Sequence, residues 1–477
     1  MTEENRSESA IERRAFLSRV GVSALAGAAW AGAGSGHAQA AGRRPNFLVI
    51  VSDDHRWDML GCAGHPALKT PHLDRLAAEG ARFTNAFVTT PICCTSRASI
   101  LTGLHARTHG IHDFSTDLSP ECLALSYPAR LKAAGWRMGF FGKHGVGTHP
   151  PRGVLGLVDL PPGREAFFRE VNGERRHVTR IISDQAVDFL RACPRDEPFC
   201  ASVSFTVPHA DDYARRPYPP EPEYETMYAD ARIPVPKQAE HQYYEALPEF
   251  LKDSEGRRRW GSRFCTPRFY QESMRDVCRM ITGMDAAIGR LRAALEETGA
   301  ADNTVILFMG DNGAFYGERG LSDKWYAYEE SIRVPLIVYD PGVPAAHRGA
   351  VIDAMALNID LAPTMFDRAG IGVPSETQGK SLLPWLRGET PAWRTDWYFE
   401  HLFKHPLIPR SEGIRDEHWT YIRWIDQQPL VEELYDLRND PHEENNLAGD
   451  PAHADPLERL RARWKAWRDK LPEAPVR

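Results

Sequence analysis

Two hydrophobic patterns alternate along most of the chain. Continuous apolar runs, such as residues 46–51, are typical of parallel strands that are buried on both faces. Apolar residues that recur every three or four positions predict amphipathic helices, and the longest such pattern covers residues 274–299. The strands predicted in this way are residues 46–51, 137–141, 199–205 and 304–309, and the helices are residues 70–80, 126–134, 181–190 and 274–299. This alternation predicts an α/β fold with a large, mostly parallel central sheet flanked by helices.

The pattern changes after Pro384. Short aromatic runs at residues 397–399 and 419–424 and a further run at 433–436 predict strands, and residues 456–471 predict a helix. We therefore predict a large domain over residues 41–385 and a smaller C-terminal α+β subdomain with an antiparallel sheet over residues 386–477.

Residues 211–268 interrupt the alternation with a stretch rich in proline, tyrosine and charged residues. A loop of this length inside a compact domain is often a lid or a binding loop. A solvated excursion explains the same composition, and the sequence favours neither interpretation.

The first forty residues have the three parts of an export signal. A twin-arginine motif at Arg13-Arg14 precedes a short apolar run at residues 20–33, and Ala38-Gln39-Ala40 is a typical cleavage site. We therefore predict that residues 1–40 are a signal peptide read by the twin-arginine (Tat) export machinery, and that the protein is periplasmic or secreted. No span of the mature chain is predicted to cross a membrane.

The overall composition narrows the possible partners. The 477 residues carry a net charge of −7, which argues against general nucleic-acid binding because that function needs a basic face. The 8 cysteines are scattered without C-x-x-C spacing, so neither a zinc site nor a disulfide framework is indicated. An oxidising compartment would permit a bridge such as Cys193 with Cys200, which the sequence alone does not establish.

Polar residues follow the predicted strands at the point where each strand ends. Because ligands bind beyond the carboxyl ends of parallel strands, we expect these residues to meet at one edge of the sheet. They are Asp53, Asp54, Lys143, His144, His209, Asp311 and Asn312. The acidic and amide side chains among them offer only oxygen ligands, which suit a hard cation such as Ca²⁺ rather than zinc. Taken singly, an Asp pair after a strand is more often a turn or a helix cap.

A cysteine stands at the predicted start of a helix that Gly103 ends. Cys93 precedes Arg97 by four residues, so an anion could rest at the helix N-terminus and be held by the arginine. The alternative is that Cys93 and Cys94 only pack in the core, as cysteines commonly do.

The segment Cys93-x-Thr95-Ser96-Arg97, followed by Leu101-Thr102-Gly103, resembles the type I sulfatase signature C-x-P-S-R-x-x-x-L-T-G of the alkaline phosphatase superfamily. The resemblance implies that a formylglycine-generating or sulfatase-maturing enzyme oxidises Cys93 to Cα-formylglycine, whose hydrated aldehyde is the nucleophile. Thr95 departs from the family pattern, which usually has proline there.

The resemblance also implies roles for the residues at the strand ends. One Ca²⁺ would be held by Asp53, Asp54, Asp311, Asn312 and the converted Cys93. Arg97, Lys143 and Lys324 would hold the sulfate, and His209 or Lys324 would protonate the leaving group. The family has its eliminating histidine two residues after the lysine, where this chain has Gly145. Three alternatives stay open: His144 serves as the base, which we favour, His149 substitutes for it, or the role is lost.

The resemblance therefore implies a sulfatase that hydrolyses a sulfate ester or sulfamate, with a sulfated glycan or a sulfated small molecule as substrate. The leaving-group pocket would be formed by residues 211–268 and by C-terminal residues near His401. Two alternatives stay open: a phosphonate or phosphate ester hydrolase of the same superfamily, and a non-catalytic protein that binds anions or glycans.

Overall fold

The computed structural model describes residues 43–159, 167–212 and 214–474, and the predicted signal peptide lies outside these ranges. The strands in chain order are β1 (Asn46–Ser52), β2 (Ala81–Phe83), β3 (Ala86–Phe87), β4 (Arg137–Gly142), β5 (Leu157–Asp159), β6 (Phe168–Val171), β7 (Glu174–His177), β8 (Phe199–Ser204), β9 (Thr304–Gly310), β10 (Phe315–Tyr316), β11 (Ser322–Asp323), β12 (Leu336–Tyr339), β13 (Ala350–Ile352), β14 (Ala356–Leu357), β15 (Asp396–His401), β16 (Ser411–Asp416), β17 (Trp419–Trp424) and β18 (Val431–Asp436).

The helices in chain order are α1 (Pro71–Glu79), α2 (Cys93–Thr102), α3 (Ala106–His109), α4 (Pro120–Leu125), α5 (Tyr127–Ala133), α6 (Arg152–Leu155), α7 (Val178–Ala192), α8 (His241–Glu245), α9 (Glu249–Lys252), α10 (Glu255–Arg263), α11 (Pro267–Glu297), α12 (Glu329–Ile332), α13 (Leu361–Ala369), α14 (Leu383–Leu386) and α15 (Ala454–Lys470). None of these helices is both long and apolar enough to span a membrane.

The central sheet confirms the predicted α/β class. Its strand order is β13-β2-β12-β9-β1-β8-β4-β5. The pairs β9–β1, β1–β8, β8–β4 and β4–β5 are parallel, and β12 is antiparallel to both of its neighbours. The sheet is therefore mostly parallel, as the uninterrupted apolar runs predicted.

Helices cover both faces of this sheet. Along β1, Phe47 and Val49 point into one hydrophobic core and Leu48 and Ile50 into another, because successive side chains of a strand point to opposite faces. Helices α2, α5 and α13 contribute to the first core, and α1, α7 and α11 contribute to the second. The result is a three-layer arrangement that holds β1 and its neighbours rigidly at the centre.

Two helical regions differ from the sequence-based expectation. Helix α11 begins at Pro267, seven residues before the predicted start, because Thr266 caps it by accepting a hydrogen bond from the Phe269 amide. Its first two turns carry few of the apolar residues on which the prediction relied. Residues 211–268, predicted as a loop, contain the short helices α8, α9 and α10.

The C-terminal part forms the predicted antiparallel sheet, in the order β15-β16-β17-β18. One face packs against α15 through Tyr398 and Leu460, and the other face places Trp397 and Phe399 in the core of the large sheet. Strand β16 escaped prediction because its sequence, SEGIRD, is largely polar. The eight cysteines are all free, so Cys193 and Cys200 form no bridge.

Candidate active site

The four strands that end in predicted site residues are adjacent in the sheet. Their order is β9-β1-β8-β4, so Asp311, Asp53, the loop to His209, and Lys143 follow neighbouring strand ends. Backbone hydrogen bonds continue past these ends: the Asp311 amide donates to Ser52 at 2.9 Å, and the Lys143 amide donates to Ser204 at 2.9 Å. The sheet thereby brings residues from distant parts of the chain to one edge.

The acidic and amide side chains at this edge are buried and close together. The Asp54 amide donates to Asp311 Oδ1 at 3.2 Å, and Asn312 Nδ2 donates to Asp54 Oδ1 at 2.6 Å. Asp53 Oδ1 and Asn312 Oδ1 are buried and have no hydrogen-bond partner in the described part of the chain. Such oxygens are costly unless something binds them. A hard cation with oxygen ligands fits this set of donors.

The position of His209 adds a nitrogen beside these oxygens. Its Nε2 lies 3.7 Å from Asp54 Oδ2, and its Nδ1 is 2.6 Å from the Ala210 carbonyl, which fixes the ring. Ligand atoms of Asp53, Asp54 and His209 all lie within 4.8 Å of one another. The histidine is therefore within reach of whatever occupies the acidic pocket.

Three cations surround the acidic residues. Lys143 Nζ lies 2.5 Å from Asp53 Oδ2, Lys324 Nζ lies 2.7 Å from Asp54 Oδ1, and Arg97 Nε lies 2.7 Å from Asp311 Oδ2. Each cation thus has a different carboxylate as its main partner. The pocket combines a divalent-cation ligand set with a cationic wall, which suits the binding of a tetrahedral oxyanion.

These charges shift the pKa values of the groups that carry them. Burial alone would raise the pKa of Asp53, but the nearby charges of Lys143, His209 and Arg97 outweigh it and hold that pKa well below its usual range. Burial alone would lower the pKa of Lys324, but the negative charges around it, of which Asp54 contributes most, together outweigh burial and raise that pKa. Asp53 is therefore anionic and Lys324 cationic throughout the neutral range.

Helix α2 presents Cys93 as its first residue. The helix begins after Ile92 and ends at Gly103, whose φ of 72° is the left-handed conformation that glycine adopts readily. Burial raises the pKa of the Cys93 thiol, and Asp53 and Asp311 add to this against the opposing charges of Lys143 and Lys324. The unmodified side chain is therefore a neutral thiol and a weak nucleophile at neutral pH.

Arg97 lies one helical turn after Cys93 and is fixed on several sides. Its Nη1 donates to the Lys143 carbonyl at 2.8 Å and to Ser204 Oγ, while Nη2 is 3.5 Å from Asp53 Oδ2. Nη2 has no hydrogen-bond partner among the described residues. Because this buried nitrogen is close to Asp53 but makes no hydrogen bond, it can donate one to a bound anion.

The two candidate bases occupy different environments. His144 is buried, its Nε2 has no hydrogen-bond partner in the described structure, and burial together with the charge of Arg97 lowers its pKa to about 4. His149 has a side chain that is 84% exposed and lies 2.8 Å from Asp117. The structure places His144 near Arg97 and leaves His149 on the surface.

A steric constraint explains why position 145, directly after His144, holds glycine. Gly145 has a φ of 73°, and a Cβ built on it would lie 2.8 Å from Cδ of Arg97. Any larger residue would push against the arginine and adopt an unfavourable backbone conformation. The histidine that the family pattern places at this position would therefore not fit this backbone.

Two contacting residues were missed in the sequence. Ser204 accepts from Arg97 and ends β8 at the same edge as the predicted residues, so its position after an apolar run was a usable signal. Tyr316 donates from its hydroxyl to the Asp54 carbonyl at 3.1 Å. Nothing in the sequence around Tyr316 indicates this contact.

The sequence and the fold also match known proteins. Residues 45–371 match the sulfatase family model, and residues 317–470 match the model for the C-terminal part of N-sulphoglucosamine sulphohydrolase. An N-acetylglucosamine-6-O-sulfatase from Bacteroides thetaiotaomicron is 30% identical over an alignment 507 positions long, and this alignment covers 90% of this chain and 88% of the relative.

Two solved structures share the fold over most of their length. One, bound to its substrate D-glucosamine-2-N,6-O-disulfate, is 27% identical with a TM-score of 0.78, covering 91% of this chain and 100% of the other. A phosphonate monoester hydrolase from Silicibacter pomeroyi is 26% identical with a TM-score of 0.75, covering 90% of this chain and 96% of the other. With a family model that matches most of the chain, and a relative of this identity and coverage, the protein belongs to the sulfatase family.

Proposed function

We propose that this sulfatase removes a sulfate group from a sulfated glucosamine unit of a glycan, using formylglycine at Cys93 and one Ca²⁺. The observation that carries the proposal is the meeting of Cys93, the buried oxygen ligands and three cations at one edge of the sheet. The raised pKa of the thiol supports it further, because a neutral Cys93 would be a poor nucleophile without conversion.

The proposed cation would be held by Asp53, Asp54, Asp311 and Asn312, beside the converted Cys93. When present, the hydrated aldehyde supplies the nucleophile and Ca²⁺ supplies positive charge that orients it. Asp53 Oδ1 and Asn312 Oδ1 have no hydrogen-bond partner among the described residues. A substitution that removes either oxygen would weaken metal binding even where the fold is kept.

The protein's own cations would hold the substrate. Arg97, Lys143 and Lys324 would contact sulfate oxygens and stabilise the charge that builds on them in the transition state. His209 or Lys324 would donate a proton to the departing oxygen or nitrogen, because both lie beside Asp54 at the same edge. His144, neutral at physiological pH, would accept the proton when sulfate is released.

The proposed substrate class is based on the sulfatases to which this chain is similar. The N-acetylglucosamine-6-O-sulfatase and the structure bound to a disulfated glucosamine both cover about nine tenths of this chain. The match to a C-terminal model named for an N-sulphoglucosamine enzyme extends the similarity to the part of the chain near His401. An amino sugar carrying an O- or N-sulfate is therefore the first substrate to test.

Export and maturation complete the proposal. The Tat-type signal would carry the folded protein to the periplasm or the exterior, and a maturing enzyme would convert Cys93 before export. Thr95 is buried beside the cysteine, in the place where the family usually has proline. Mass spectrometry of the peptide that contains Cys93, after co-production with a maturing enzyme, measures how much is converted.

The test of the proposed function compares two substrates on the converted protein. We expect faster release of sulfate from D-glucosamine 6-sulfate than of product from an aryl phosphonate. The opposite order would favour a phosphonate monoester hydrolase, which the Silicibacter pomeroyi structure makes the second candidate. Binding of the sulfated sugar without any turnover would instead indicate a non-catalytic glycan-binding protein.

A further inference from the structure

Two arginines of helix α10 form ion pairs with the loop that carries Lys324. Arg259 and Arg263 are four residues apart and therefore lie on the same face of the helix. Arg259 Nη1 lies 2.7 Å from Asp323 Oδ2, and Arg263 Nη1 lies 2.7 Å from Asp323 Oδ1. Both oxygens of a single carboxylate are thus held by two guanidinium groups.

The same arginines also reach the other side of the site. Arg259 Nη1 lies 2.9 Å from Asp212 Oδ1, and Arg263 Nη2 lies 2.5 Å from the same atom. Asp212 follows His209 by three residues, and Asp323 directly precedes Lys324. The arginine pair therefore connects the segments that carry the two candidate proton donors.

The segment around Lys324 has an unusual backbone. Asp323 has a φ of 68° and Trp325 a φ of 85°, so a left-handed residue other than glycine stands on each side of the lysine. Aspartate tolerates this conformation, but it is unfavourable for tryptophan and persists there only where surrounding contacts enforce it. Here the Trp325 amide donates to the Pro91 carbonyl at 3.1 Å, and the arginines hold Asp323.

The strained segment aims Lys324 into the site. Between the two left-handed residues, its side chain turns inward and reaches both oxygens of Asp54, at 2.7 and 2.8 Å. Arg263 and Asp323 have side chains that are only 3% and 2% exposed, so water cannot replace their contact. Arg259 also pairs with Glu255, whose Oε1 lies 2.8 Å from Arg259 Nε, so each guanidinium of the cluster is held by more than one carboxylate.

From this geometry we propose that Arg259 and Arg263 are positioning residues, which set Lys324 and His209 for protonation of the leaving group. The proposal rests on the sulfatase function proposed above. It also assigns a role to residues 211–268: through α10 this segment would form a fixed wall of the site, which fits the binding-loop interpretation rather than the lid or the solvated excursion that the sequence also left open.

The test uses Arg263→Lys and Arg259→Lys in the full, converted protein. Lysine keeps the charge but cannot bridge two carboxylates with a planar fork. Arg258→Lys is the matched control, because Arg258 is exposed on the same helix. Each variant is assayed on two sulfate esters, 4-nitrophenyl sulfate and D-glucosamine 6-sulfate, which differ in how strongly the leaving group needs a proton.

We expect kcat for the sugar sulfate to fall about tenfold to a hundredfold in Arg263→Lys, as is common when a supporting contact is lost. The loss on 4-nitrophenyl sulfate should be several times smaller, because that leaving group departs without much protonation. A purely structural role would lower both rates by the same factor, and this equal loss would overturn the proposal. Arg259→Lys, at a more exposed position, gives the same comparison if Arg263→Lys folds poorly.

Hydrogen exchange separates this proposal from the proposed function. If the wild-type protein hydrolyses no sulfate ester, the proposed function fails, and the positioning role is then judged by amide exchange at residues 322–326. Faster exchange there in Arg263→Lys than in Arg258→Lys supports the proposal that the arginines hold the segment around Lys324 in place. Equal exchange in the two variants overturns it.

Discussion

At the scale of single residues, the site is a balance of buried charges. Arg97, Lys143 and Lys324 are each paired with a carboxylate that is itself almost fully buried. Removing one member of such a pair leaves a charge without compensation, which is far more damaging than the loss of an exposed ion pair. The arrangement is held because the carboxylates follow directly on the rigid strands β1 and β9.

The role of Lys324 can be tested with Lys324→Met, which keeps most of the side-chain volume. Because this ammonium would stabilise charge in the transition state, we expect kcat/KM for an aryl sulfate to fall about a hundredfold or more. Lys465→Met, at a lysine of helix α15 whose side chain is 68% exposed, is the control and should stay within about twofold of wild type. A Lys324→Met variant that is as active as the control would remove this lysine from the mechanism.

The choice between the two candidate bases predicts a pH profile. Since burial and Arg97 lower the pKa of His144 to about 4, the ring is neutral above that pH and is charged only below it. The step that uses His144 should therefore keep its rate from about pH 8 down to about pH 5, without an acid limb near the ordinary histidine pKa of about 6.5.

The variants His144→Gln and His149→Gln provide the comparison. We expect His144→Gln to lower kcat about tenfold or more, and His149→Gln to leave it nearly unchanged because that side chain is on the surface. A wild-type acid limb near pH 6.5 that disappears in His149→Gln would assign the base to the other histidine.

Among the helices and strands, the structure shows which sequence patterns are sufficient to predict an element and which are not. Strands β1, β8 and β9 were predicted because burial of both faces gives them largely apolar sequences. The ends of these apolar runs then identified the polar site residues that follow them. Strand β16 was missed because its buried charges have distant partners: Glu412, for example, pairs with Arg107. The contacts of Arg259 and Arg263 were likewise invisible, since they depend on how a helix packs.

Helix α1 depends on a cap that the sequence did not reveal. Asp285, from helix α11, accepts hydrogen bonds from the Leu73 amide at 2.7 Å and the His72 amide at 3.1 Å. Burial raises the pKa of Asp285 to about 7. Its pKa is higher folded than unfolded, so the native state takes up a proton between about pH 4 and pH 7, and stability is lost as pH rises through that range.

Asp285→Asn should therefore reduce the pH dependence of stability. We expect the variant to be less stable than wild type near pH 5 by about 1 kcal/mol, since one acceptor is lost, and to show a smaller deficit, or a gain, near pH 8. Urea unfolding at the two pH values measures this. A deficit that grows with pH would mean that the carboxylate is charged in the folded protein and favoured by the helix N-terminus.

At the scale of the whole molecule, the C-terminal sheet shares a core with the large sheet. The rings of Phe87 and Trp397 have centroids 5.2 Å apart, and Tyr328 donates to Glu433 Oε2 at 2.9 Å. Both aromatic rings are fully buried. The described residues from Arg44 onward form one compact unit, although the sequence pattern changes clearly after Pro384.

This shared core predicts that the larger part cannot fold alone. A variant that ends at residue 385 would expose the buried surface around Phe87 and leave Arg107 without Glu400 and Glu412. We expect it to aggregate, and the full chain to unfold in a single thermal transition. A soluble truncated protein with its own cooperative transition would show that the two parts are independent domains.

The proposed reaction is the hydrolysis of a sulfate ester by a converted Cys93 together with one Ca²⁺ that the strand-end oxygens hold. The most direct measurement is the rate of sulfate release from D-glucosamine 6-sulfate by converted protein that has been stripped of metal and then titrated with Ca²⁺. We expect no sulfate release with chelator and the full rate of release at one equivalent of Ca²⁺. A rate that chelation leaves unchanged, or no release from fully converted and Ca²⁺-loaded protein, would contradict it.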